Sequence, residues 1–170
     1  MGDPWNSLIV DRTRIGDMLA PVTEWPGVDD AELAELVRRF ADAVIIADAD
    51  GTIVLWNDAA ERLFGWTAAE ATGQTLDLIV PERLRGRHWD GYRRVMATGE
   101  SEYGTKLLEV PALSQDGRAL SIGFTVTLLH HPDGTVKGIA AVIRDETERW
   151  QQRRALRAEL ESLRGASTSG

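Results

Sequence analysis

Three Asp-Gly pairs, Asp50-Gly51, Asp116-Gly117 and Asp133-Gly134, each stand between two apolar runs. Glycine takes the positive φ that a tight reversal needs, and aspartate bonds its own nearby backbone, so each pair marks a turn. The first joins "AVIIAD" to "TIVLWN" as a two-residue hairpin, in which Asp48 and Asp50 serve turn chemistry. The others link "YGTKLLEVPAL", "ALSIGFTVTLL" and "VKGIAAVIRD" in series. Short connections force neighbouring strands to run antiparallel, so five strands of one antiparallel sheet are expected.

Helical patterns occupy the remaining stretches. "DDAELAELVRRFADAV" places Leu33, Leu36, Val37, Phe40 and Val44 at helical spacing, with Asp29 or Asp30 as N-cap and Glu32 or Glu35 in the first turn. Asn57 is expected to cap the helix after the second strand. Gly65, Gly73 and Pro81 then punctuate short helices, and a longer helix spans 82–98 and stops at Gly99. Near the end, Leu156, Leu160 and Leu163 fall at i, i+4, i+7, the seam of a helix pair. The fold class is α+β, with helices massed between the second and third strands and covering one sheet face. The arrangement is a cup, and a cup holds a ligand. Residues 1–28 read as an extension broken by Pro4, Pro21, Pro26 and Gly27, with a short apolar stripe of Ile9, Ile15, Met18 and Leu19. The expected divisions are a flanking helix at 29–42, a core at 43–146, a second flanking helix at 147–164 and a disordered tail at 165–170.

Charge and composition exclude several classes. A net charge of −8 opposes general attraction to nucleic acid or anionic membranes. The absence of cysteine removes disulfides, thiolate metal sites, cysteine nucleophiles and thiol–flavin adducts. No apolar run approaches the roughly 18 residues that span a bilayer, and no basic leader precedes an apolar run, so a cytoplasmic location is expected. No Gly-rich phosphate loop or nucleophile elbow appears, so the chain does not read as an enzyme.

Against this acidic background, "RLRGRHWDGYRR" (residues 83–94) gathers five arginines, one aspartate and His88. A nucleic-acid patch, a ligand-holding helix and an ordinary solvated helix face each account for that composition. His130 and His131, beside Pro132 and a turn, read as exposed hairpin residues. Trp56, Trp66 and Trp89 offer flat faces for a ring but more commonly fill a core, and Trp25 and Trp150 are expected to pack the flanking helices.

The segment "DGTIVLWNDAAERLFGWTAAEATGQTL", with Asp50-Gly51, Asn57, Ala60, Phe64-Gly65, Glu70 and Gly73, resembles the opening of a PAS domain. "RDETER" resembles the Asp-x-Thr junction where a PAS core passes into its C-terminal signalling helix. "MATGE" followed by "QDGR" matches the spacing into the last three strands. The resemblance covers about residues 36 to 150 and implies a sensory or interaction module. It further implies homodimer formation through flanking helices, a separate output protein, and relay through Asp145 and Thr147.

Arg85-Gly86-Arg87-His88, with Tyr92 following, is similar to the helix of the haem-binding PAS sensors, including the oxygen-sensing kinases of nitrogen-fixing bacteria. Here Tyr92 stands one residue later than in those sensors. The resemblance implies His88 as the axial iron ligand and a diatomic gas or redox state as the signal. Arg87, Arg93 and Arg94, about one turn either side of His88, are expected to meet the propionates. Leu78, Ile79, Val95 and Met96, with Ile122, Phe124, Ile139, Ala141 and Ile143 from the strands, would make the apolar slot. The oxygen sensors carry a polar distal residue, usually arginine, where this chain has Leu108; an apolar wall suits carbon monoxide, nitric oxide or a redox role. Nearby Tyr103 and Lys106 have no assigned direction. Non-covalent flavin, or a cofactor-free dimerisation or protein-interaction module, is the alternative.

Overall fold

The computed structural model describes residues 27–100 and 107–167, with side chains to residue 161. The early apolar stripe of Ile9, Ile15, Met18 and Leu19, together with Trp25, Tyr103, Lys106 and the Leu163 side chain, lies outside the described residues. The chain divides into two compact units, Met1–Glu35 and Leu36–Gly170. Helix α1 (Asp30–Arg39) straddles that division. Its start is held by a reciprocal cap: the Glu32 amide donates to Asp29 Oδ1 at 2.8 Å, and the Asp29 amide donates to Glu32 Oε2 at 2.9 Å.

The helical spacing noted to Val44 overruns the helix. Val44 is the second residue of β1 (Ala43–Asp48). The β-branched run Val44-Ile45-Ile46 pairs on both sides, with β2 (Ile53–Trp56) and with β5 (Val136–Asp145), and that pairing outweighs the local period. After β2 come α2 (Asp58–Phe64), α3 (Ala68–Ala71), a 3₁₀ turn at Leu76–Leu78 and α4 (Glu82–Thr98). Strands β3 (Leu108–Leu113) and β4 (Ala119–His130) precede β5, and α5 (Thr147–Ser167) follows it. Helix α5 thus extends to Ser167, beyond the expected end at residue 164. No helix among the described residues is long and apolar enough to cross a membrane.

The five strands form one antiparallel sheet in the order β2-β1-β5-β4-β3. The first turn is longer than a two-residue hairpin: Ala49 to Thr52 separate the strands, and a register shift at Ile46/Ala47 accompanies them. Asp48 Oδ1 accepts from the amides of Asp50 (3.0 Å) and Thr52 (2.9 Å), so the carboxylate organising this turn is Asp48. Asp116 and Asp133 do the same job at the other two reversals, accepting from the amides of Arg118 and Thr135.

Strand register sorts the side chains. Leu108 faces Phe124, Phe124 faces Ile143 and Ile143 faces Ala43, so these share one sheet face. Val110, Ala112, Leu120, Ile122, Val126, Leu128, Ile139 and Ala141 lie on the same face by alternation. That face packs against Ala59, Ala60, Phe64, Ala71 and Ile79 from the connecting helices to form the core. Trp56 is buried there with its ring 5.3 Å from Phe64, and its indole donates to the Trp66 carbonyl at 3.0 Å. Trp150 departs from the expected packing role; it is exposed on α5 with the Arg154 guanidinium 5.4 Å above its ring.

Asn57 holds the core's corner. It caps α2 by accepting from the Ala60 amide at 3.0 Å, and the same oxygen accepts from the Val44 amide at 2.9 Å. Its side-chain amide donates to the carbonyls of Val37 and Asp42, each at 3.1 Å. Cap and inter-element staple are one residue.

Candidate ligand-binding site

Helix α4 begins after Pro81 and ends at Gly99, whose φ of 67° is the left-handed conformation that closes a helix. Along it, Arg85, His88, Trp89, Tyr92, Val95 and Met96 recur at helical spacing and are at least half-buried, while Arg83, Arg87, Arg93 and Arg94 are exposed. The charged composition of residues 83–94 therefore divides between a solvated face and an inward stripe. His88 is on the inward stripe.

Three tethers fix that stripe. Arg85 donates from Nη2 to the Asp77 carbonyl at 2.9 Å and from Nε to the Val80 carbonyl at 3.2 Å. Trp89 Nε1 donates to Asp77 Oδ1 at 2.8 Å. Tyr92, buried, donates its hydroxyl to the Asp48 carbonyl at the end of β1. Burial first, then the negative charges of Asp48 and Asp50, push the Tyr92 phenol well above its ordinary pKa, so it remains a donor. Gly51 completes the seat: its φ is 82°, and a Cβ there would overlap the Trp89 ring.

The His88 ring lies 5.0 Å from Trp89, edge-on, and 5.9 Å from Tyr92. Its Nδ1 is buried without a hydrogen-bond partner. Burial pulls its pKa below the ordinary histidine value, and Asp77 acts weakly in the opposite direction. Burial thus favours the neutral imidazole, the form that binds metal.

Opposite, the sheet face is unevenly covered. Ala43, Ile45, Ala112, Leu120, Ile122 and Ile143 are buried, while Leu108, Val110, Phe124, Val126, Leu128, Ile139 and Ala141 are partly accessible. Of the slot residues named from sequence, Ile79, Val95, Ile122 and Ile143 are buried, and Leu78, Met96, Phe124, Ile139 and Ala141 are half-buried. Leu108 shares the face of Ile122 and Ile139. Among the arginines, Arg93 is paired with Asp90 at 2.7 Å, and Arg87 and Arg94 point from the exposed side. His130 and His131 are exposed at the β4–β5 reversal. Among the described residues no three His, Cys, Asp or Glu side chains gather as a metal site. A hollow of about 420 Å³ is lined by Asp42, Arg62, Ile143 and Arg144, away from α4.

Sequence reading missed Asp77. It is a lone aspartate in "TLDLIV", and nothing local marks it; its partners Arg85 and Trp89 stand 8 and 12 residues on.

The geometry agrees with known proteins. A family model described as PAS fold matches residues 25–151. A protein of Azorhizobium caulinodans, named an uncharacterized protein, is 37% identical over 130 residues, which is 76% of this chain and 17% of that one. Sensor protein FixL of Bradyrhizobium diazoefficiens is 31% identical over 133 residues, 78% of this chain and 26% of FixL. The signal transduction histidine-protein kinase AtoS of Escherichia coli is 28% identical over 138 residues, 79% of this chain and 21% of AtoS. The chain spans between 17% and 26% of the length of these relatives. Among solved structures, the PAS domain of a Colwellia psychrerythraea protein superposes with a TM-score of 0.61 at 20% identity, covering 69% of this chain and 97% of that one. An RNA-binding light-oxygen-voltage receptor gives 0.64 at 22% identity, covering 95% of this chain and 41% of that one. With its five-stranded order, its Asn57 corner and the helices on one sheet face, the chain belongs to the PAS-fold family.

Proposed function

We propose that this PAS domain is a sensory module that holds haem through His88 and relays a diatomic gas or redox signal into α5. The observation that carries the reading is the buried Nδ1 of His88, which has no hydrogen-bond partner on the inward stripe of α4. An unsatisfied buried imidazole nitrogen costs on the order of 1–3 kcal/mol, a cost that a ligand at the ring would offset. A single imidazole retains a metal when the ligand itself brings the remaining donors, as a porphyrin does. Similarity to FixL and AtoS supports the sensory role.

Haem, when bound, would supply an iron centre for gas or electrons. The chain's own residues do the rest. His88 offers a neutral nitrogen, and Arg87, Arg93 and Arg94 offer cations for propionates at the exposed side. Ile122, Ile139 and Leu108 present the apolar wall, while Tyr92 braces the helix. Leu108 brings no hydrogen-bond donor, which favours carbon monoxide, nitric oxide or redox sensing.

The route outward runs through the end of β5. The Thr147 amide donates to Asp145 Oδ1 at 2.9 Å, and the Ser121 amide of β4 donates to Thr147 Oγ1 at 3.0 Å. A shift of β4 against β5 therefore moves the first turn of α5. The signal is a change in population between two seatings of that helix. A homodimer through the flanking helices is its readout, supported by Leu156 and Leu160, which are 58% and 46% exposed. Those leucines also favour a second reading, a cofactor-free dimerisation or protein-interaction module.

Purified protein supplied with haem is expected to show a Soret band that is lost in His88→Ala. A protein that takes up no haem would overturn the first reading and leave the second. A flavin spectrum would reassign the site.

A further inference from the structure

Asp77 lies on the 3₁₀ turn ahead of α4, and two side chains of that helix converge on it. Its carboxylate accepts from Trp89 Nε1 at 2.8 Å and stands 3.5 Å from Arg85 Nε, while its carbonyl accepts from Arg85 Nη2 at 2.9 Å. Arg85 and Trp89 are four residues apart, so they leave the helix on one face, on either side of His88. Asp77 thereby fixes the rotation of α4 about its axis at the level of the histidine.

The imidazole has no bond of its own at Nδ1 to set its orientation. In metal sites a carbonyl or carboxylate bonded to the ring ordinarily gives that orientation. Here rings take that part. Trp89 meets His88 edge-on at 5.0 Å, Tyr92 meets it at 5.9 Å, and Trp89 and Tyr92 stand 5.6 Å apart at 70°. Tyr92 is pinned to the Asp48 carbonyl; Trp89 is pinned to Asp77 and backed by the bare Cα of Gly51. The Trp89 and Tyr92 rings are thus the neighbours against which the imidazole is set.

We infer that Asp77 is a positioning residue for His88, acting through the Trp89 indole and the Arg85 guanidinium. This rests on the haem reading above. Outer partners of a metal ligand govern affinity by about 10- to 100-fold, and Asp77→Ala is expected to fall in that range.

The test uses the full chain with haem, in the variants Asp77→Ala, Asp77→Asn, Trp89→Phe and His88→Ala. Haem loss to excess apomyoglobin is expected to quicken at least tenfold in Asp77→Ala and Trp89→Phe. The ferrous iron–histidine stretching frequency is expected to shift in both. Asp77→Asn keeps an oxygen for the indole N–H and is expected to restore both readings towards wild type. In haem-free protein, the cross-relaxation signal between the His88 and Trp89 rings is expected to weaken in Asp77→Ala. A general loss of stability would lower the melting temperature without moving the stretching frequency. If Asp77→Ala does not fold, Trp89→Phe, which removes the donor and retains a ring, carries the same expectation. Wild type that binds haem through His88, with an unchanged loss rate and frequency in Asp77→Ala or Trp89→Phe, overturns the Asp77 role alone. Wild type that takes up no haem, or equal uptake by His88→Ala, overturns it together with the haem reading.

Discussion

Asn57 is 1% exposed, and its four side-chain hydrogen bonds draw on α2, β1 and the two segments before β1. Asn57→Ala strands two buried amides and two carbonyls at once. With a net loss of about 1 kcal/mol per bond and more for each donor left unpaired, the expected cost is about 3–5 kcal/mol. Urea unfolding measures it; a loss under about 1 kcal/mol would mean that water reaches those amides. Sequence placed Asn57 as a cap, which it is, but half of its bonding runs to backbone 15 and 20 residues earlier. At His88 the expectation concerns pH. Burial lowers the folded pKa below 6.5, so the unfolded chain takes the proton first as pH falls. The His88 contribution to the stability of the haem-free protein is therefore full above pH 6.5 and is lost as pH falls below it, down to the lowered folded pKa. His88→Gln removes the linkage, and its urea midpoint is expected to fall less over that window. Equal slopes in the two proteins would put the imidazole in water.

At the scale of elements, β3 shows how alternation couples two sides of the sheet. Leu108 lies on the core face of the sheet, and its neighbour Glu109 turns outward to accept from the Arg153 guanidinium of α5 at 2.9–3.0 Å. The pair is roughly two-fifths exposed, so its contribution to global stability is expected to stay below about 1 kcal/mol. Its effect is local: Arg153→Ala is expected to leave the urea midpoint near wild type and to speed amide exchange in the first turns of α5. Exchange unchanged across α5 would show that Thr147 and Glu146 seat the helix unaided. The strands themselves were legible from apolar runs and Asp-Gly pairs, and α4 from its stop at Gly99. Val44 was not, because an amphipathic period does not see a strand partner that arrives a hundred residues later. Likewise, Glu109–Arg153 and Asp77–Trp89 join residues that no local pattern relates. Local signals gave the elements, and long-range ones made the candidate site.

For the whole molecule, the exposed Leu156 and Leu160 on α5 ask for a second helix. One and a half heptads of leucine cannot sustain an isolated pair, so the helices of two copies need the neighbouring sheet for support. The full chain is expected to elute as a dimer, and Leu156→Glu with Leu160→Glu as a monomer, with light scattering as the measure. An elution state indifferent to both changes would remove α5 from the interface.

The strand order has a further consequence, for how the protein is made. The last strand to be synthesised, Val136–Asp145, enters the middle of the sheet, between β1 and β4. Until the ribosome has released it, the nascent chain carries two separate ribbons, β1–β2 and β3–β4, each with an unsatisfied edge. Two-stranded ribbons are marginal in water, and open edges invite pairing with other chains. The hazard of misassembly is therefore concentrated in the interval before residue 145 emerges, and the arrival of a single strand ends it on both sides at once.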